Sequence, residues 1–121
     1  MFCKYIVLIG WRNTSLIKMA RIERIKEMLA ANPGDSFLQH ALALEYIKIE
    51  EDEQARHLFE NLLHEDENYI GSYYHLAKLL ERNDRMEDAK AVYEKGMLKA
   101  KESGDMHTYN ELRTAYDDLI Y

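Results

Sequence analysis

Beyond residue 20 the apolar positions fall three and four apart, in blocks separated by short polar breaks. Residues 21–31 place Ile22, Ile25, Met28 and Leu29 on one helical face and stop at Asn32-Pro33-Gly34. Asp35 or Ser36 then caps a second helix with the stripe Leu38, Ala41, Leu42, Tyr46 and Ile49. Asp52 is the expected cap of a third, carrying Ala55, Leu58, Phe59, Leu62 and Leu63. Asn68 is that of a fourth, with Tyr73, Leu76, Ala77 and Leu80. Asp84 and Glu87 have capping-box spacing before a fifth, which buries Ala89, Val92, Tyr93, Gly96 and Met97. After Ser103-Gly104-Asp105 a sixth carries Tyr109, Leu112, Tyr116, Leu119 and Ile120. The pattern predicts six helices joined by short turns, antiparallel to their neighbours, with no strand after residue 18.

These blocks repeat every 34 residues: Leu42 is echoed by Leu76, Ala43 by Ala77, Ala55 by Ala89, Phe59 by Tyr93 and Glu60 by Glu94. Asn32-Pro33-Gly34 lies one period before Asp66-Glu67-Asn68. A fixed period of this size marks a solenoid, whose units bury their apolar faces on each other and present an extended surface. The repeated alanines allow close approach of the two helices of a hairpin. Leucine at Ala55 or Ala89 is expected to overpack that contact by roughly 1–3 kcal/mol.

In this register the chain resembles the tetratricopeptide repeat family. Residues 36–69 supply Leu42, Ala43, Tyr46, Ala55 and Phe59, and depart at Gln39, Leu62 and Glu67. Residues 70–103 supply Tyr73, Leu76, Ala77, Ala89 and Tyr93, and depart at Leu80, Gly96 and Lys101. Upstream, Ile25, Met28 and Pro33 match a second helix, with Arg21 where alanine is usual. Downstream, Tyr109, Leu112 and Tyr116 match a first helix after a two-residue slip. The resemblance implies an all-α, antiparallel helix-hairpin solenoid forming a right-handed superhelix, of about two full repeats plus flanking half-repeats. It also implies a concave groove for a peptide or protein segment. The corresponding positions are His40, Leu44 and Lys48, then Tyr74, Lys78 and Arg82, then Asn110 and Thr114. One subclass of the family clamps a C-terminal carboxylate with Lys and Asn in its first unit. His40 and Leu44 stand there instead, so that activity is not expected. Lys78 and Arg82, one helical turn apart, are candidates for an acidic peptide, although Glu81 beside them weakens a positive patch.

The first eighteen residues stand apart: they lie outside the repeat and hold the lone Trp and Cys. The apolar run 5–9 is too short to span a bilayer, and no small-x-small cleavage pattern follows it. Met19-Ala20-Arg21-Ile22-Glu23 reads like a natural start. The expected division is therefore 1–18, a non-repeat extension not belonging to the native translation product, and 19–121, one helical domain. A retained extension is expected as a strand, an extra turn of the first helix or an oligomer contact.

Sixteen basic against twenty-two acidic residues give a net charge of −6, which disfavours nucleic acid. A single cysteine, Cys3, fits a reducing compartment, and the expected location is cytoplasmic. Of the five histidines, His40 and His75 fall on successive first helices, while His57 and His64 share another; they read as surface or groove-edge residues. No HExxH motif, cysteine pair, phosphate loop or nucleophile–base pattern is visible, so no metal, cofactor or catalysis is expected. The acidic run Glu50-Glu51-Asp52-Glu53 reads as favouring a helix N-terminus. Tyr46, Tyr73, Tyr93, Tyr109 and Tyr116 read as core aromatics with wet hydroxyls, and Tyr69 and Tyr74 as exceptions. The expected function is a non-enzymatic adaptor or scaffold whose partner is a protein or peptide, not a membrane. The alternative is self-assembly into a homo-oligomer through residues 5–9 or the apolar terminus Leu119, Ile120 and Tyr121.

Overall fold

The computed structural model describes residues 2–121, with side chains from Leu16 onward. Six helices follow one another: α1 (Phe2–Ala31), α2 (Ser36–Lys48), α3 (Asp52–Glu65), α4 (Gly71–Arg82), α5 (Met86–Ser103) and α6 (Met106–Ile120). Each packs on the next in sequence, as short connections between antiparallel helices require. The α1 bounds cross the boundary drawn at residue 18. The apolar run 5–9 lies outside the residues whose side chains are described. Among the described residues no helix is long and apolar enough to cross a membrane.

The repeated positions make the core. Ala43, Ala55, Ala77 and Ala89 are fully buried, with Phe59 and Tyr93 equally enclosed and Leu42 and Leu76 nearly so. Alanine at these four places lets the paired helices close, and the large residues occupy the space between hairpins. Met28 departs from its expected stripe: it is exposed, while Ile22 is buried and Ile25 and Leu29 pack on the core. The hydroxyls of Tyr73 and Tyr93 depart as well, while that of Tyr116 stays exposed. Tyr73 donates to the Glu67 carbonyl at 2.7 Å, Tyr93 to the Glu81 carboxylate and Tyr116 to Glu94 at 2.9 Å. A phenol buried in a core needs such a partner, because water cannot reach it.

The helix ends are where local expectation fails most. Asp35 caps α2 by accepting from Leu38 N at 3.1 Å, and Asp105 caps α6 through Thr108 N at 3.1 Å. Asp52 is not a cap: Glu51 flanks α3, and the Asp52 carboxylate is taken by Arg82 and Asn83. Asn68 does not cap α4, which Ile70 precedes without a side-chain bond. The Asp84/Glu87 box does not form; Arg85 flanks α5 and Glu87 pairs with Lys90.

Asp84 instead ends the preceding helix, in the left-handed region at φ 59°, and Glu50 does the same one period earlier at φ 61°. Around them Glu51 N donates to Tyr46 O and Arg85 N to Leu80 O, both at 2.9 Å. Glu50 N and Asp84 N close the shorter bonds to Ile47 O and Glu81 O. This is the paired hydrogen-bond pattern that stops a helix with a left-handed residue. Gly104 makes the third copy, at φ 76° with Asp105 N on Ala100 O. The turn thus repeats where glycine, its ordinary signature, is missing twice.

Candidate functional site

Helices α2, α4 and α6 share one face of the stack, and two depressions lie along it. The larger, about 600 Å³, is walled by Tyr74 and Lys78 of α4 and by Asn110 and Thr114 of α6. His107, Glu111, Ala115 and Asp118 complete its α6 side. The smaller, about 190 Å³, lies towards α2 and is lined by Ile47, His75, Lys78, Leu79 and Arg82. Lys78 belongs to both. Helical spacing puts Tyr74, Lys78 and Arg82 on one stripe of α4, and Asn110 and Thr114 on one stripe of α6.

Four of the sequence-selected positions therefore converge: Tyr74, Lys78, Asn110 and Thr114. Arg82 lines only the smaller depression, and its guanidinium is engaged across the stack, with Nε 3.0 Å from Asp52 Oδ2. Asn83 donates to the same carboxylate at 3.1 Å. That cross-helix pair holds the Asp52 carboxyl below its ordinary range. Lys78 lies 3.5 Å from Glu81 and 5.8 Å from the centre of the Tyr74 ring. Lys48 is bound to Glu45 at 3.1 Å. The three basic side chains proposed from sequence all have an internal carboxylate.

His40 is set deeper than the groove edge where sequence spacing placed it. Its ring packs on Phe59, Tyr69 and His75 at centroid distances of 5.7, 5.4 and 5.3 Å. Its Nδ1 lies 2.7 Å from the hydroxyl of fully buried Ser72, which ties α2 to α4. His75 stacks on Phe59 and meets Tyr74 edge-on at 5.7 Å. Burial pushes both imidazoles down, and for His40 the nearby His75 adds to it. Leu44 is half-buried against the core. The α2 contribution is thus mostly a floor of packed rings, and Phe37, exposed on the same helix, escaped notice because it lies outside the α2 stripe.

Among the described residues no group of three potential metal ligands comes together, and His57 and His64 are exposed. Glu81 sits between Lys78 and the Tyr93 hydroxyl, whose ionisation is pushed up by burial first and then by Glu81. Aromatic faces, amides, hydroxyls and paired charges on an open wall suit a peptide chain better than a small molecule needing enclosure.

The tetratricopeptide repeat family model matches residues 53–109. A tetratricopeptide repeat domain protein of Salinibacter ruber, solved by solution NMR, is 41% identical with a TM-score of 0.70, covering 72% of this chain and 88% of that one. The TPR2B domain of yeast Sti1, in its pHsp70 complex, shares the fold at TM-score 0.78 and 16% identity, over 88% of this chain and 85% of that one. The first repeat domain of Spaghetti (RPAP3), bound to the HSP90 peptide SRMEEVD, does so at 0.69 and 18%, over 89% and 84%. No curated protein matches the chain.

Proposed function

Because the chain belongs to the tetratricopeptide repeat family, we propose that it is a non-enzymatic module that docks a segment of another protein on the α2–α4–α6 face. The observation that carries this reading is the convergence of Tyr74, Lys78, Asn110 and Thr114 on one open depression between two repeat units. A surface assembled from two units changes only as the stack changes, so it offers a rigid template for an extended segment. The pHsp70 complex of Sti1 and the peptide-bound domain of Spaghetti support the same use of the fold. In this reading Tyr74 is the aromatic anchor, Asn110 and Thr114 meet the backbone of the segment, and Lys78 and Leu44 border its path. His40 holds the wall from behind.

Affinity capture with the full chain, run beside Tyr74→Ala/Asn110→Ala, tests it. Both side chains are at least partly exposed, so the double variant should keep its melting temperature within a few degrees. A protein retained by the parent and lost by the folded variant supports the groove. Identical captures from the two would overturn it.

Self-assembly has its own observation: Ile120 and Tyr121 are exposed, the latter almost entirely. Light scattering across a concentration series reads it, and a constant monomer mass rejects it.

A further inference from the structure

The carboxylates along the α4–α6 depression outnumber the cations free to meet them, and we infer that the docked segment presents basic side chains. This rests on the reading of that face as a docking groove. Among the described residues each cation on the face is already matched, Lys48 by Glu45, Lys78 by Glu81 and Arg82 by Asp52. The α6 wall has the opposite state. Glu111 has only the His107 imidazole, 2.9 Å away, rather than a permanent cation. Asp118 lines the same depression and takes part in no ion pair among the described residues.

The two carboxylates line the same depression as a tyrosine ring that already attracts an ammonium. Lys78 hovers over Tyr74 at 5.8 Å, which shows that a cation is accommodated against this ring face. A lysine or arginine of the partner, placed between Tyr74 and the α6 wall, gains the ring and one of the two carboxylates, which stand about two helical turns apart, without breaking the Lys78–Glu81 pair. An acidic side chain in the same place meets that carboxylate and must first strip a lysine or arginine from its own partner. The net charge of −6 steers approach in the same direction.

At about 1.5 Å per residue, α4 is roughly 18 Å long, a distance that an extended peptide of about six residues covers. The probes are therefore the blocked peptides Lys-Ala-Leu-Lys-Ala-Leu and Glu-Ala-Leu-Glu-Ala-Leu, titrated into the ¹⁵N-labelled full chain and followed by amide shifts. The basic peptide should move Tyr74, Lys78, Asn110 and Thr114 amides and bind at least roughly ten-fold tighter than the acidic one. Glu111→Gln with Asp118→Asn, both exposed and so harmless to the fold, should remove most of that preference and flatten its salt dependence. Equal or tighter groove binding by the acidic peptide overturns the inference and leaves the docking groove standing. Basic-peptide shifts confined to other surfaces, or none with either peptide, also overturn it. The groove reading itself falls separately, if a captured partner leaves the α4 and α6 amides unmoved.

Discussion

Gly96 of α5 lies so close to Tyr73 of α4 that a β-carbon on it would come within 2.7 Å of the Tyr73 β-carbon and 3.0 Å of Leu112. One period earlier the same positions hold Leu62 and Gln39. The second unit thus combines a large first-helix residue with no side chain at all on the second helix. The Tyr73 ring is enclosed as a result, and its hydroxyl reaches the Glu67 carbonyl.

Gly96→Ala should therefore destabilise, against the helix propensity of alanine, by about 1–3 kcal/mol. Shortening the neighbour with Tyr73→Leu should not restore stability, because leucine keeps the β-carbon that clashes. Urea unfolding of the single and double variants checks both statements; a Gly96→Ala protein as stable as the parent would sink the packing argument.

Glu50 and Asp84 hold left-handed backbone conformations that cost a side-chain-bearing residue energy and glycine almost nothing. Glu50→Gly and Asp84→Gly should each stabilise by roughly 0.5–1 kcal/mol, a rise of a few degrees in Tm. Gly104→Ala, at the third copy of the turn, should do the reverse. Calorimetry on the three variants reads the sign directly.

Stability should fall on mild acidification. His40 and His75 resist protonation in the fold because they are buried, so the unfolded chain takes up protons more readily below its ordinary value of 6.5. Their penalty is absent above that value and grows as pH falls through it. Urea midpoints should drop between about pH 7 and about pH 5.5, less steeply in His40→Asn. Asp52 and Glu67, held down chiefly by Arg82 and by Lys99 with Lys95, act in the same sense but at lower pH: their support persists above the carboxylate range and is lost only as pH falls through it. A flat profile above the carboxylate range removes the histidine account.

Arg82→Ala should cost stability without changing partner affinity, since its guanidinium joins α4 to α3 rather than facing a ligand. The pair is partly exposed, so a double-mutant cycle with Asp52→Ala should return a coupling of no more than about 1 kcal/mol. Loss of captured partner in a folded Arg82→Ala protein would instead return that residue to the groove.

Helix number, the antiparallel order and the buried alanines were legible in the chain because they are written locally. Apolar residues three and four apart define a face within two turns, and the period of 34 carries that face from Ala43 to Ala77 and from Ala55 to Ala89. Tyr74, Lys78, Asn110 and Thr114 were chosen by the resemblance to the family, and they line one depression because like positions on like helices of a stack come to lie side by side. Tertiary structure decided what those local rules do not contain. Asp52 had every local reason to cap its helix, yet Arg82, 30 residues away, takes its carboxylate. His40 has groove-edge spacing, yet Phe59, Tyr69 and Ser72 close over it from the two following helices and the loop between them. Charge followed the same course: Glu81 stood beside Lys78 in the chain, but only stacking brought Asp52 to Arg82, leaving Glu111 and Asp118 as the groove carboxylates without a permanent cation among the described residues. A side chain's neighbours along its own helix are set by the chain, but the partner it takes across the stack depends on how the units settle against one another.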